Sequence, residues 1–321
     1  MLNETERCFE SRNTSCLKSS YPIPLCVTLY IILGVIIILT VCGNLLVTFS
    51  VAYFKQLHTP TNYLILSLAM SDLLSGIIVM FPFMIQTIES CWYFGDFFCN
   101  VYMSSAFTLC TASIITLSFI SVDRYYAVCQ PLLYRRKISV NVVLIMILIC
   151  WSFSVILGFG IIFLKLNILG VEEFYYNHVV CEGGCVMFMS GVSITVFSVI
   201  SFYLPGIIML CVYLKIFLVA RKQFRSIQNA GCVNSVKKSN TSQTKATKTL
   251  AIVMGVFLCF TTPFFVFNII NPFISYSKPP KFTVTLTWLA YLNSAVNPMI
   301  YAFFYSWFRK LCPVKIVSVF T

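Results

Sequence analysis

The sequence predicts an all-α membrane protein, a seven-transmembrane helix bundle with its amino terminus outside and its carboxyl terminus inside. Composition, seven long apolar runs and a lopsided charge distribution carry that reading. Of 321 residues, 59% are hydrophobic and only 10% are charged, whereas soluble chains carry about a quarter of charged residues. So few charges cannot cover a soluble domain of this size, and the apolar surface needs lipid.

A span takes roughly 20 largely apolar residues to cross about 30 Å of hydrocarbon. The expected spans are 25–54, 63–88, 97–122, 138–164, 186–214, 249–276 and 282–305, within a helical domain 25–308. The first lies in a stretch free of charge between Lys18 and Lys55. The second has Asp72 as its only charge, and the third ends at Asp123-Arg124-Tyr125. Trp151 marks the fourth, Pro205 the fifth, Pro263 the sixth, and Asn297-Pro298-Met299-Ile300-Tyr301 closes the seventh. Most joins are short and polar, as antiparallel neighbours require. The short segments of alternating polarity that a β-barrel would show are absent.

Residues 1–24 carry Glu4, Glu6, Arg7, Glu10, Arg12 and Lys18 with no apolar run, so a retained, exposed tail is expected rather than a signal peptide. Orientation follows from the basic residues. With the amino terminus outside, 16 of the 22 Lys and Arg face the cytosol and eight of the ten acids lie outside. The net charge of +12 is therefore a membrane-face charge, and no nucleic-acid partner is expected. That basic face attracts lipid headgroups and fixes topology, or equally offers a docking surface to an acidic partner. The outer tail holds the sequons at Asn3 and Asn13, expected to be glycosylated, and residues 309–321 form a short cytosolic tail.

Asp72 is the only acid inside a span, and ionisable groups there are costly and usually functional. It is read either as a carboxylic acid kept neutral in the bundle or as a cation or proton site, with Ser113, Asn293, Ser294 and Asn297 as polar partners. No other cofactor is expected, and no metal cluster, phosphate loop or nucleophile–base set argues for an enzyme.

The ordered set of Gly43-Asn44, Leu68-Ala69-Met70-Ser71-Asp72, Asp123-Arg124-Tyr125, Trp151, Pro205, Pro263 and Asn297-Pro298 through Tyr301 resembles the rhodopsin-like G-protein-coupled receptors. The resemblance implies a plasma-membrane, multi-pass receptor in which Arg124 is held at rest and released on activation toward Tyr213 and Tyr301. The partners so implied are a heterotrimeric G protein and a small extracellular ligand. Asp72, Ser113, Asn293 and Asn297 would be the sodium site, and Asp123, Arg124, Tyr125, Tyr213, Asn297, Pro298 and Tyr301 the activation and coupling residues. Phe54 to Asn62, Cys91-Trp92-Tyr93-Phe94-Gly95, Leu117 to Cys129 and Ile252 to Leu258 are similar, more narrowly, to the trace amine-associated receptors, especially those of type 1. That likeness points to an amine-like ligand and a cyclic-AMP-raising G protein.

Six of the fifteen cysteines fall outside: Cys8, Cys16, Cys91, Cys99, Cys181 and Cys185. Six allow 15 pairings that sequence alone leaves open. The resemblance implies Cys99–Cys185, Cys8–Cys181 and Cys16–Cys91. It also implies a ligand site at Ala106, Phe107, Ser198, Ser201, Phe264, Phe265, Trp288 and Tyr291.

Three positions depart from the family. Amine receptors of this kind place an aspartate seven residues after the loop-linked cysteine, where this chain has Ala106. The span-six tryptophan is Thr261, and Pro313 interrupts the helix expected after Phe308, beside Cys312 as a palmitoylation candidate. Ala106 keeps open a receptor for a non-amine ligand, or one with lost amine response. A seven-helix transporter is the rival class. A single interior acid and the lack of an internal repeat argue against it, and the lack of a lysine in span seven argues against a retinal protein.

Overall fold

The computed structural model describes residues 7–10, 14–18, 21–229, 235–274 and 280–304. Seven long helices make the bundle: α1 (Ile23–Tyr53), α2 (Pro60–Glu89), α3 (Gly95–Cys129), α4 (Val140–Phe163), α5 (Gly191–Val219), α6 (Ser235–Ile270) and α7 (Pro280–Phe304). The first five, with Ile252–Ile270 of α6, are long and apolar enough to cross a membrane. The helix α7 is not among them; Asn293, Ser294 and Asn297 make it more polar, and all three face inward. Among the described residues there is no strand, only two isolated bridges in the tail and the loop before α5.

Helices start where a side chain or proline satisfies the first turn. Thr59 accepts the amide of Asn62, with Pro60 at the first position of α2. Ser139 and Ser190 cap α4 and α5 in the same way. Residues 186–189, expected inside span five, are not helical, because the helix waits for the Ser190 cap. At Cys129, by contrast, α3 runs seven residues past the predicted span, since a helix leaving lipid keeps its hydrogen bonds regardless of polarity. Two π-helical turns, Ser75–Met80 and Val199–Tyr203, precede Pro82 and Pro205, whose missing amides disturb the helical ladder.

The central helix is α3, packed against α2, α4 and α5, whereas the outward faces of α1 and α4 expose Ile31, Ile38, Leu148 and Ile156. Two glycines set close approaches. A Cβ on Gly43 would lie 2.9 Å from Pro298 Cβ, so α1 meets α7 there. A Cβ on Gly158 would lie 2.7 Å from the Ser104 carbonyl oxygen, so α4 rests directly on the backbone of α3.

Candidate functional site

At one end of the bundle the tail is bonded to the loop before α5. Glu182 donates its amide to the Thr14 carbonyl at 3.1 Å, and Cys16 donates to the Glu182 carbonyl at 2.9 Å. The tail then turns back, with the Cys8 amide on the Cys16 carbonyl at 2.9 Å. Three disulfides fasten this assembly: Cys99–Cys185, Cys8–Cys91 and Cys16–Cys181, with Cα separations of 5.8, 5.7 and 5.1 Å. The first is the expected pair. The other two correct the expected Cys8–Cys181 and Cys16–Cys91. The ladder at Glu182 sets Cys16 beside Cys181, and the turn carries Cys8 to Cys91, next to Trp92, whose amide bonds the Gly183 carbonyl at 2.8 Å. Gly183 has a φ of +81°, and a Cβ there would touch Cys8.

Below this cap, the ligand-site candidates fall into two groups. Ala106, Phe107, Ser198, Ser201 and Phe265 are buried between α3, α5 and α6. Phe107 meets Phe197 edge-on at 4.7 Å, Phe265 stacks on Phe202 at 4.2 Å, and Phe264 meets Phe265 edge-on at 5.4 Å. The Ser201 hydroxyl accepts from Thr111 at 3.2 Å, while the Ser198 hydroxyl is buried without a hydrogen-bond partner. Trp288 belongs elsewhere, with Leu33, Ile37, Met84 and Ile88 between α1, α2 and α7. Its ring stacks on Phe83 at 5.4 Å and its Nε1 donates to Thr87 at 3.1 Å. Tyr291 packs against both groups. At Thr261 the hydroxyl donates to the Phe257 carbonyl of its own helix, so it does not reach across as an indole would.

Mid-bundle, Asp72 is fully buried and accepts from Ser294 Oγ at 2.7 Å and Asn297 Nδ2 at 2.8 Å. Ser113 joins through Ser71, hydroxyl to hydroxyl at 2.8 Å. Asn293 Oδ1 is buried with no hydrogen-bond partner. The Asp72 carboxylate, with the orphaned amide oxygen of Asn293 one residue before Ser294 on α7, offers oxygen atoms of the kind a monovalent cation takes. Asn44 ties this centre to α1 by donating to the Ser294 carbonyl at 3.0 Å.

At the opposite end Asp123 is buried and gathers three donors. Arg124 Nη2 lies 2.9 Å from its Oδ2, Thr61 Oγ1 donates to the same oxygen at 2.8 Å, and Tyr134 Oη donates to Oδ1 at 2.9 Å. Arg124 also bonds Thr61. The arginine is thus held by a closed set of contacts joining α3 to the foot of α2 and to the short helix Pro131–Lys137. The sequence marks Tyr134 as the end of the run Pro131-Leu132-Leu133-Tyr134 and Thr61 as part of the run after span one, but assigns neither a role at this site. The signal available was their place in the runs flanking spans one and three. Tyr125 and Tyr213 lie on this part of the bundle, half-buried, and Pro298 sits inside α7. The side chain of Tyr301, and Asn3, Asn13, Phe308, Cys312 and Pro313, lie outside the described residues.

Comparison with known proteins agrees with this geometry. Residues 43–301 match the 7 transmembrane receptor (rhodopsin family). The chain is 50% identical to trace amine-associated receptor 1 of Macaca mulatta over 94% of its length and 91% of the relative's. With the human receptor of that name identity is 48%, at the same coverage. With trace amine-associated receptor 4 of Rattus norvegicus it is 45%, over 96% of this chain and 90% of the relative. The chain belongs to the rhodopsin-like seven-transmembrane receptors, in their trace amine-associated family, and is a receptor rather than an enzyme.

Proposed function

We propose that this receptor sits in the plasma membrane with its amino terminus and disulfide cap outside, binds a small amine-class ligand there, and activates a heterotrimeric G protein of the cyclic-AMP-raising type. The observation that carries the reading is the closed set around Asp123 and Arg124. An arginine held by a neighbouring carboxylate, a threonine and a tyrosine has two discrete arrangements, held and released. A ligand that favours the released state shifts the equilibrium, and a G protein that binds that state shifts it further. Release would send Arg124 toward Tyr213 and Tyr301, opening the cytosolic feet of α3, α5 and α6. Membrane lipids bound by the basic cytosolic face, glycans at Asn3 and Asn13, and a sodium ion at Asp72 complete the proposal. Asp72, Ser113, Asn293 and Asn297 would hold that ion, whose charge offsets the buried carboxylate. A cyclic-AMP assay in transfected cells, run against amines and neutral analogues of matched shape, tests the reading. A response to amines supports it, and a response confined to neutral ligands or none at all refutes the ligand class.

A second reading has its own observation. Ala106 stands where the family's aspartate would hold an ammonium, and α3 offers no acid between Asp96 and Asp123. A receptor for a non-amine ligand, or one with lost amine response, follows if nothing else supplies that charge.

A further inference from the structure

An ammonium drawn out of water needs a carboxylate or a full set of acceptors, and with Ala106 in place α3 does not supply the carboxylate. Of the described acids at the disulfide end, Glu10, Asp96, Glu172, Glu173 and Glu182 are exposed to solvent. Glu89, the last residue of α2, is half-buried instead. Tyr30 of α1 donates to its Oε1 at 2.7 Å. Tyr93 also bonds it, and the phenol of Tyr93 is pushed up from its ordinary pKa first by burial and then by that bond. Both partners are neutral hydroxyls, and among the described residues no cation pairs with Glu89. The carboxylate is oriented, and no described cation matches its charge.

An aromatic wall stands at the same end of α2 and is joined to Glu89 through Tyr30, which packs on the Trp288 cluster. Thr87, two residues before Glu89, fixes the Trp288 indole through Nε1, and that ring stacks on Phe83 and meets Tyr291 edge-on at 6.0 Å. Aromatic faces attract organic ammonium ions and shield the carbon skeleton that carries them. We propose that Glu89, oriented by Tyr30 and Tyr93, is the carboxylate that binds the ligand's ammonium in this receptor, with the Trp288 cluster as the wall of a site displaced from α3 to the α1–α2–α7 corner. This rests on the amine reading above.

The test is equilibrium binding of radiolabelled phenylethylamine to membranes bearing the full-length receptor, compared across wild type, Glu89→Gln, Ala106→Asp and the double variant at matched surface expression. Glutamine keeps an acceptor for Tyr30, so the α1–α2 contact survives and only the charge is lost. The expected result is at least a tenfold weaker affinity for Glu89→Gln, recovered when Ala106→Asp is added. Equal binding by wild type and Glu89→Gln would overturn the proposal while leaving the amine reading intact. Loss in Glu89→Gln without recovery in the double variant would assign Glu89 a structural role and overturn it too. No binding by wild type would remove the amine reading and the proposal together.

Discussion

Tyr134→Phe removes one of three donors from Asp123 while leaving the ring in place. The lost bond, 2.9 Å from a buried carboxylate oxygen, is of the charged kind, worth about 1.5–3 kcal/mol. Tyr134 is itself half-buried, so water compensates part of the loss and the low end, about 1.5 kcal/mol, applies. That is a factor of about 12 in an equilibrium constant. From a resting population of about 1% in the active state, the fraction rises to roughly 10%, and ligand-independent exchange rises about tenfold. Thr61→Val should act further, because it removes a donor to Asp123 and an acceptor for Arg124 together. The assay is GTPγS uptake by a purified G protein on membranes without ligand, normalised to surface receptor. Basal uptake unchanged or lowered in both variants, at normal expression, would show that the Asp123 contacts do not hold the resting state.

Three further outcomes follow from the packing, the cap and the pocket. Gly158→Ala puts a methyl 2.3 Å from Thr108 Oγ1 and against the α3 backbone; overpacking of this kind costs about 1–3 kcal/mol, so the melting temperature of detergent-solubilised receptor should fall, and an unchanged value would contradict the close α3–α4 approach. Non-reducing peptide mapping should recover Cys8 with Cys91, Cys16 with Cys181 and Cys99 with Cys185; a Cys8–Cys181 peptide, or Cys99 as a free thiol, would refute the cap as described. In the Glu89→Gln background Ala106→Asp should strengthen phenylethylamine binding by up to two to four decades, since one partner missing from a desolvated ion pair costs roughly 3–5 kcal/mol. Binding and cyclic AMP must be read separately there, because Thr261 spends its hydroxyl within α6, and no gain in binding would mean that position 106 does not face the ammonium.

The helices were legible because hydrophobic length and charge asymmetry act locally, residue by residue. Asp72 was legible too: a lone acid in a span needs partners, and the structure bonds it to Ser294 and Asn297. The pairing of Cys8 and Cys16 was not, because it turns on which backbone edge the tail bonds, and Thr14 and Glu182 are 168 positions apart with no spacing rule between them. Thr61 was hidden for a similar reason. Its position just after the Thr59-Pro60 helix start reads as capping chemistry, and only the crossing of α2 and α3 brings its hydroxyl to Asp123. The eight pocket candidates read as one aromatic site, yet Trp288 turns to the α1–α2–α7 corner, because Thr87 and Phe83 on α2 hold its ring.

The central claim is that this chain is an exchange catalyst switched through Arg124, and Arg124→Ala tests it most directly. Nucleotide exchange on a cyclic-AMP-raising G protein should be measured for wild type and variant at equal surface expression, with phenylethylamine and without ligand. The account predicts that exchange above the G protein's own rate disappears in Arg124→Ala while the receptor still reaches the surface. Exchange in the variant equal to wild type would contradict it and remove Arg124 from the mechanism.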